Sequence, residues 1–378
     1  MAFYQAGQKD LMFACHATPK SRTLNLDRPI SIQHPASSVQ HPIHQSTNYQ
    51  STNLPLTTVI IPNWNGAHHL PTCLESLRRQ THPHVEVIVA DNGSTDGSLE
   101  LLACDYAEVQ VLALGENRMF AGACNAGMRE AQGALVVLLN NDTEADPRWL
   151  EEVVAAFQRH PEAGIVASKM LLFDQRDTFH TAGDFYRVDG IPGNRGVWQK
   201  DVRQYDREEH VFSACGGSAA YRKVMLDQVG LLDEDFFYSC EDVDLAWRAQ
   251  LAGWKCVYTP RAVVYHKLSA TGGGVTASFY DGRNFIYLLA KDYPGDLWRT
   301  YWWAILRAQL RITGEALRAW RGPAARARLR GQLAGLLGIP KMLHKRRTVQ
   351  RSRTVDRAYL ESILTGVDES PRSGYYMD

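Results

Sequence analysis

Three places in this 378-residue chain gather side chains able to do polar chemistry. Asn140-Asn141-Asp142 directly follows the apolar run ALVVLL at 134–139. A carboxylate at such a strand end holds Mg²⁺ or Mn²⁺, which prefer oxygen ligands, or else begins a turn. Glu241, Asp242 and Asp244 crowd the start of a helix-patterned segment, directly behind Phe236, Phe237 and Tyr238. Acids there complement the helix dipole, and a carboxylate against an aromatic wall can also have a raised pKa and serve as a general base. Arg283 and Asn284 follow a glycine stretch, 272–274, that reads as a lid. The planar fork of Arg283 suits diphosphate oxygens, and equally an ordinary salt bridge.

These residues need elements to position them. Residues 57–62 (TTVIIP) form a short β-branched run that reads as a buried strand. Strands are likewise expected at 85–90, 109–113 and 134–139, with helices at 70–80, 98–103, 121–131 and from Pro147 to about His160. Alternation of this kind implies an α/β fold, with a parallel sheet flanked by helices and ligands at the carboxyl ends of its strands. Those ends carry Asn63-Trp64-Asn65, Asp91-Asn92-Gly93 and Asn140-Asn141-Asp142, so the cleft is expected there. Residues 161–293 are less regular.

The formal net charge is zero, which gives no global attraction to nucleic acid. The seven cysteines include no C-x-x-C pair, so neither a zinc ribbon nor a disulfide framework is indicated. Residues 1–55, rich in Gln, His, Ser, Thr, Asn and Pro, read as a disordered extension, and their four histidines as a solvated tail. No signal sequence and no apolar run of spanning length are evident, so a cytoplasmic protein is expected unless a surface holds it.

Seven motifs occur in an order that resembles glycosyltransferase family 2, over about 56–293. They are V-I-I-P-N-W-N-G, V-I-V-A-D-N-G-S-T-D-G-S, E-N-R-M-F-A-G-A-C-N-A-G, L-L-N-N-D-T, G-G-S-A-A-Y-R, D-E-D-F-F-Y-S-C-E-D-V-D-L-A-W-R and V-V-Y-H-K-L-S. Within that family the chain is similar to the bacterial rhamnosyltransferase-like branch that builds surface polysaccharides. The resemblance implies a GT-A fold over 56–294, with a mostly parallel central sheet and a helical extension beyond it. It also implies an inverting transferase using a nucleotide-diphosphate sugar, a divalent cation (Mn²⁺ or Mg²⁺) and a glycan or lipid-linked acceptor. Asp91 would accept a hydrogen bond from the nucleotide base, with Asn63 and Asn65 lining that pocket. Asn117 and Asn125 would approach the ribose and diphosphate, or cap turns and helices. Asp142 would be the metal ligand at the D-x-D position, whose first Asp is Asn140 here, and His266 would complete the metal site. Asp242 would be the base. Glu241 and Asp244 would orient the acceptor or cap the helix, and Gly216 and Gly217 would shape the acceptor side by lacking side chains.

From 296 to 354 the chain is helical in pattern and carries fourteen Arg and Lys against two acids, a local net of +12. With Trp298, Tyr301, Trp302, Trp303 and Trp320, the region of 295–378 reads as a peripheral anchor on an anionic membrane surface, or as a packed helical subdomain with a solvated basic face. No nucleic-acid-binding motif accompanies the charge. Three other classes fit the motifs less well or only in part. A sugar-phosphate nucleotidyltransferase would carry a basic Gly-rich loop after the first strand, where this chain has N-W-N-G. A nucleotide-sugar-binding scaffold without turnover fits the altered D-x-D. A dinucleotide oxidoreductase is disfavoured because no G-x-G-x-x-G follows the first strand.

Overall fold

The computed structural model describes residues 54–267 and 274–368. The extension expected at 1–55 falls almost wholly outside the described residues, as do Gly272 and Gly273 of the expected lid. From Leu54 onward the chain is one compact unit.

The expected alternation is present, with element ends shifted by one or two residues. It runs β1 (Thr57–Asn63), α1 (Leu70–Arg78), β2 (Val85–Asp91), α2 (Ser98–Asp105), β3 (Gln110–Ala113), α3 (Met119–Glu130) and β4 (Leu135–Leu139). The four strands pair in parallel, in the order β4-β1-β2-β3. Alternate side chains of β1 explain its unbroken apolar sequence. Val59 and Ile61 enter the core on one face, with Leu70 and Leu74 of α1, and Ile60 enters the core on the other, with Cys124 and Met128 of α3.

The sheet then widens in a way the irregular middle of the sequence did not announce. It continues as β5 (Thr143–Ala145), α4 (Trp149–Arg159), β6 (Ala163–Leu172), β7 (Phe179–Thr181), β8 (Asp184–Tyr186), β9 (Pro192–Asn194), β10 (Glu209–Val211), β11 (Ser218–Arg222), α5 (Lys223–Val229), α6 (Glu241–Leu251) and β12 (Lys255–His266). Strand β11 lies antiparallel between β4 and β6, and β12 runs parallel beyond β6. β8 and β9 form a separate two-stranded sheet. The carboxyl ends of β1, β2 and β4 therefore open beside a reversal of strand direction, the place where such sheets leave a crevice.

Four helices close the chain: α7 (Gly274–Lys291), α8 (Gly295–Arg318), α9 (Pro323–Arg351) and α10 (Arg357–Ile363). Glycines set the α7–α9 approach. A Cβ on Gly331 would lie 2.0 Å from the Phe279 carbonyl oxygen, and one on Gly338 would lie 2.3 Å from the Tyr287 hydroxyl. Helix α9 is also pinned by Arg346, which donates to the Tyr293 carbonyl at 2.6 Å, and by Lys345, which pairs with Asp233 at 2.6 Å.

Candidate active site

A cleft of about 580 Å³ opens at the strand ends, lined among others by Asn63, Asn140, Asp142, Gly216, Asp242 and His266. Its walls therefore come from β1, β4, the turn before β11, the start of α6 and the end of β12.

At one end, Asp142 Oδ1 lies 3.1 Å from His266 Nε2. That buried oxygen has no hydrogen-bond partner among the described residues. An imidazole nitrogen and a carboxylate oxygen this close at a cleft wall can serve together as ligands of one cation, so these residues fit a divalent ion. His266 Nδ1 sits 3.0 Å from Nδ1 of His180. Burial, then the neighbouring His266, push His180 down to about 3 and keep it neutral. A neutral His180 can accept at Nδ1 from His266 Nδ1–H, and in that tautomer the Nε2 lone pair of His266 faces Asp142. Asn140 Nδ2 is 3.3 Å from that same Nε2. Its amide carries an oxygen on the same carbon, so Asn140 can also turn an oxygen toward a cation.

At the other end, the Gly216 backbone N–H donates to Asp242 Oδ2 at 2.8 Å, and the Val243 N–H donates to Oδ1 at 2.8 Å. Burial nonetheless raises Asp242 above the ordinary carboxylate range. Glu241 beside it is 6% exposed, with Oε2 unpartnered. Burial, then the Asp242 charge, push Glu241 up to about 8. Asp184, at the start of β8, also lines the cleft. Its Oδ1 accepts from the Thr181 hydroxyl at 2.6 Å and from Asn194 Nδ2 at 3.1 Å. Burial and the Asp242 charge push it up to about 8 as well. Three carboxyl groups thus compete for charge in one apolar pocket, which is how a base is kept strong at neutral pH.

The backbone delivering this pair is strained. Phe237, Ser239 and Cys240 all have φ between 63° and 68°, a region that side chains avoid. Helix α7 holds it in place. Asn284 Nδ2 donates to the carbonyls of Phe236, Tyr238 and Ser239 at 2.7–2.9 Å, and Arg283 donates to those of Asp235 and Phe236 at 2.9 and 2.6 Å. The Ser239 hydroxyl donates to Asp281 at 2.9 Å.

The third region is a polar net at the ends of β1 and β2. Asn63 Nδ2 donates to Asp91 Oδ1 at 2.9 Å, and Asn141 Nδ2 donates to Asn63 Oδ1 at 2.7 Å. Gly66 has no space for a side chain here, since a Cβ would meet Asn141 Nδ2 at 2.2 Å. Asn117 stands exposed at the rim, its Oδ1 accepting from Met119 N–H at 2.8 Å to start α3.

Several sequence expectations need correction. Asp91 is 0% exposed and is not a cleft wall, because Asn63 and the Ser94 N–H (2.9 Å) occupy its oxygens. Asn65 is not among the residues lining the cleft and accepts from Thr95 N–H at 2.8 Å. Asn125 is buried between α3 and the loop after α5, exchanging bonds with Leu232 N–H and C=O at 3.0 and 2.9 Å. Arg283 is no free diphosphate clamp, because its guanidinium is spent on the 235–236 carbonyls and stacks over Tyr280 and Tyr287. Asp244 turns into the core, where Oδ1 pairs with Lys291 and Oδ2 accepts from both Nε and Nη2 of Arg248 at 2.9 and 2.8 Å. Burial would raise Asp244, but Arg248 and Lys291 overcome that and hold it low. Its place one turn into α6 is therefore structural. Asn63, Asn117, Asp142, Gly216, Gly217, Glu241, Asp242 and His266 do share the cleft. Sequence reading missed His180 and Asp184. The only signal was their polarity within HTAGD at 180–184, a stretch lacking helix or strand periodicity.

Known proteins bear on this geometry. Residues 58–230 match the family described as Glycosyl transferase family 2. The chain is 29% identical over 265 residues to the N-acetylglucosaminyl-diphospho-decaprenol L-rhamnosyltransferase of Mycobacterium tuberculosis, spanning 64% of this chain and 86% of that one. It is 29% identical over 240 residues to the O-antigen biosynthesis protein RfbC of Myxococcus xanthus, spanning 61% of this chain but 19% of RfbC. Among solved structures, S. aureus TarS 1-349 in complex with UDP-GlcNAc superposes with a TM-score of 0.51 at 17% identity, over 78% of this chain and 90% of that one. GalNAc-T7 with UDP, GalNAc and Mn²⁺ gives 0.53 at 15% identity, over 63% and 48%. These structural likenesses bear on fold alone, and with the sheet order they define a GT-A sugar-transferase architecture. Residues 58–230 carry a glycosyl transferase family 2 domain, and the chain is a glycosyltransferase.

Proposed function

We propose that the protein transfers a sugar, with inversion, from a nucleotide-diphosphate donor to a lipid-linked glycan acceptor in surface polysaccharide synthesis, with rhamnose as the first donor sugar to try. The observation that carries this reading is the pairing, within one cleft, of an unpartnered Asp142 oxygen against His266 and a raised Asp242 facing Glu241 and Asp184.

The roles follow from position. Asn63 and its net present the end of β1 to the nucleotide, and Asp91 holds that net from behind. Asp142 and His266 would hold the divalent cation, which when bound offsets charge on the diphosphate. Gly216 N–H fixes Asp242 Oδ2, and Asp242 takes the proton of the acceptor hydroxyl as that oxygen attacks the anomeric carbon. The diphosphate leaves from the opposite face, so one displacement inverts the centre and needs no enzyme nucleophile. Glu241 and Asp184 line the acceptor side.

The acceptor's lipid places the enzyme at a membrane. No helix among the described residues is long and apolar enough to cross one. Helices α8 and α9 instead expose Trp302, Trp303, Leu310 and Leu337 beside arginines, which suits a peripheral mode at the anionic cytoplasmic face. Helix α7 lines the cleft through Ala277 and Asp281 and packs its back on α9, so an acceptor held at that surface is one helix away from the base.

The test is a thermal-shift panel of nucleotide-sugars with Mn²⁺ and with EDTA. A shift from one donor class that EDTA abolishes, followed by turnover of that donor, is expected. Binding without turnover, of acceptor or of water, would favour the non-catalytic scaffold.

A further inference from the structure

Away from the cleft, where α4 ends beside the edge strand β10, three side chains converge. His160 caps the C-terminus of α4, Glu162 lies in the turn into β6, and His210 lies on β10. Glu162 Oε1 is 3.3 Å from His160 Nδ1 and 3.5 Å from His210 Nε2. One donor atom from each of the three lies within 4.8 Å of the other two. Ligand atoms on a tetrahedral zinc with bonds of about 2.0–2.1 Å sit roughly 3.3–3.4 Å apart. Two of the three separations already have that length.

The surroundings are those of a metal-bound imidazole. Zinc-ligating histidines usually give their second nitrogen to a carboxylate, which fixes the ring and its tautomer. His160 Nε2 lies 3.2 Å from Glu208 Oε2. Glu208 is itself held by Arg159 at 3.0 Å, Thr259 at 2.9 Å and Arg261 at 3.4 Å. All three candidate ligands keep partial solvent access, which leaves a fourth position open to water.

We propose that His160, Glu162 and His210 form a His₂Glu site for zinc or a similar borderline-soft divalent cation, oriented by Glu208 and stapling the edge strand β10 to the end of α4. Such a site is separate from the Asp142–His266 pair, whose oxygen donor and role in transfer suit Mg²⁺ or Mn²⁺. It asks nothing of the transfer reaction, so it stands or falls independently of the function proposed above.

The experiment uses the full chain carrying Asp142→Asn and His266→Gln, which removes the cleft ligands. Zinc is titrated in competition with a chromophoric chelator, and Co²⁺ is followed by its visible absorption. One equivalent bound with micromolar or tighter affinity is expected. His210→Gln should lose that equivalent, with affinity at least 10-fold weaker, and Glu208→Gln should weaken it by about 10–100-fold, as outer-shell losses do. Histidines before residue 54 are common to every variant, so the difference between variants reads this site alone. Zinc should also raise the melting temperature of the parent and not that of the His210→Gln variant. Equal zinc uptake by parent and His210→Gln, or no tetrahedral Co²⁺ spectrum in the parent, would overturn the proposal and leave Glu162 as a polar partner of two imidazoles.

Discussion

At the residue scale, the site concentrates acid where stability would not ask for it. Glu241 has an ordinary value of 4.5 and about 8 in the fold. Between those values the folded state holds a proton that the unfolded chain has released. Stability must therefore fall as pH rises from about 4.5 to 8, since the unfolded state binds fewer protons across that window. Glu241→Gln stays neutral throughout and removes the share of the slope that Glu241 contributes, leaving that of Asp184. It should leave the melting temperature near wild type at pH 4.5 and raise it at pH 8. The gain is on the order of 1–3 kcal/mol, at about 2–4 °C for each kcal/mol in a domain of this size. Melting curves at the two pH values check this, and an equal shift at both would show that the group is not buried as an acid. Asp242→Asn separates binding from chemistry. It keeps the shape, and the Gly216 N–H still finds an oxygen, so donor-induced thermal shifts should persist. Transfer should fall by at least 100-fold, the usual contribution of a positioned base. Transfer at near wild-type rate would remove Asp242 from that role.

At the element scale, the strained turn before α6 depends on α7. The three Asn284 bonds replace carbonyl hydration that Phe236, Tyr238 and Ser239 lose on burial. Asn284→Ala strands those carbonyls and should cost about 1–3 kcal/mol. Because the turn aims Glu241 and Asp242, turnover should drop while the donor-induced thermal shift stays, since the polar net of Asn63 and Asn141, proposed to face the nucleotide, lies elsewhere. Wild-type turnover in a destabilised Asn284→Ala variant would show that the turn keeps its shape without α7. This network also marks how far the sequence could be read. Strands β1 and β4 were legible because both faces are buried and their apolar runs are nearly unbroken, whereas β2 and β3, half-buried or exposed in part, were legible from the strand-helix alternation; the polar clusters after β1 and β4 reach the cleft. What lay beyond legibility was direction. Asp91, Asn125, Arg283 and Asp244 carry the right chemistry at the right chain positions, yet each spends its polar atoms on the backbone or on a neighbouring side chain. Nothing in a linear pattern reports which way a side chain turns at the end of an element. His180 and Asp184 were missed for the converse reason: β7 and β8 are only three residues each, too short to show a period.

At the scale of the whole molecule, neutrality hides a strong dipole. The segment 296–354 carries a net +12, so the rest of the chain carries as much negative charge. On α8 and α9 the basic residues share the surface with apolar side chains that no other part of the described protein covers. Trp302 and Trp303 are 53% and 54% exposed, Leu310 59%, Leu333 59%, Leu336 56% and Leu337 74%. Within the same helices the inward members are committed. Trp298 donates to the Leu289 carbonyl at 3.0 Å and Tyr301 to Glu361 at 3.1 Å, so the sequence cluster splits into an anchoring half and an outward half. Apolar surface of this extent is rarely left to water in a soluble monomer. A second copy of the chain would place two basic faces against each other, whereas an anionic bilayer answers both features, with each cation near the surface adding about 1 kcal/mol and the tryptophans seating at the headgroup level. The protein should therefore co-sediment with vesicles containing anionic lipid and not with purely zwitterionic ones, with binding weakened as salt shortens the Debye length. Trp302→Ser with Trp303→Ser should lower the partition coefficient by about 10-fold or more, from the apolar area no longer buried. The same double variant should keep the donor-induced thermal shift, because both residues lie on the outward face of α8 and neither lines the cleft. Vesicle binding insensitive to both salt and the two tryptophans, or a salt-stable dimer of the free protein in sedimentation, would assign this face to a protein partner instead, and the acceptor would then have to reach the cleft from solution.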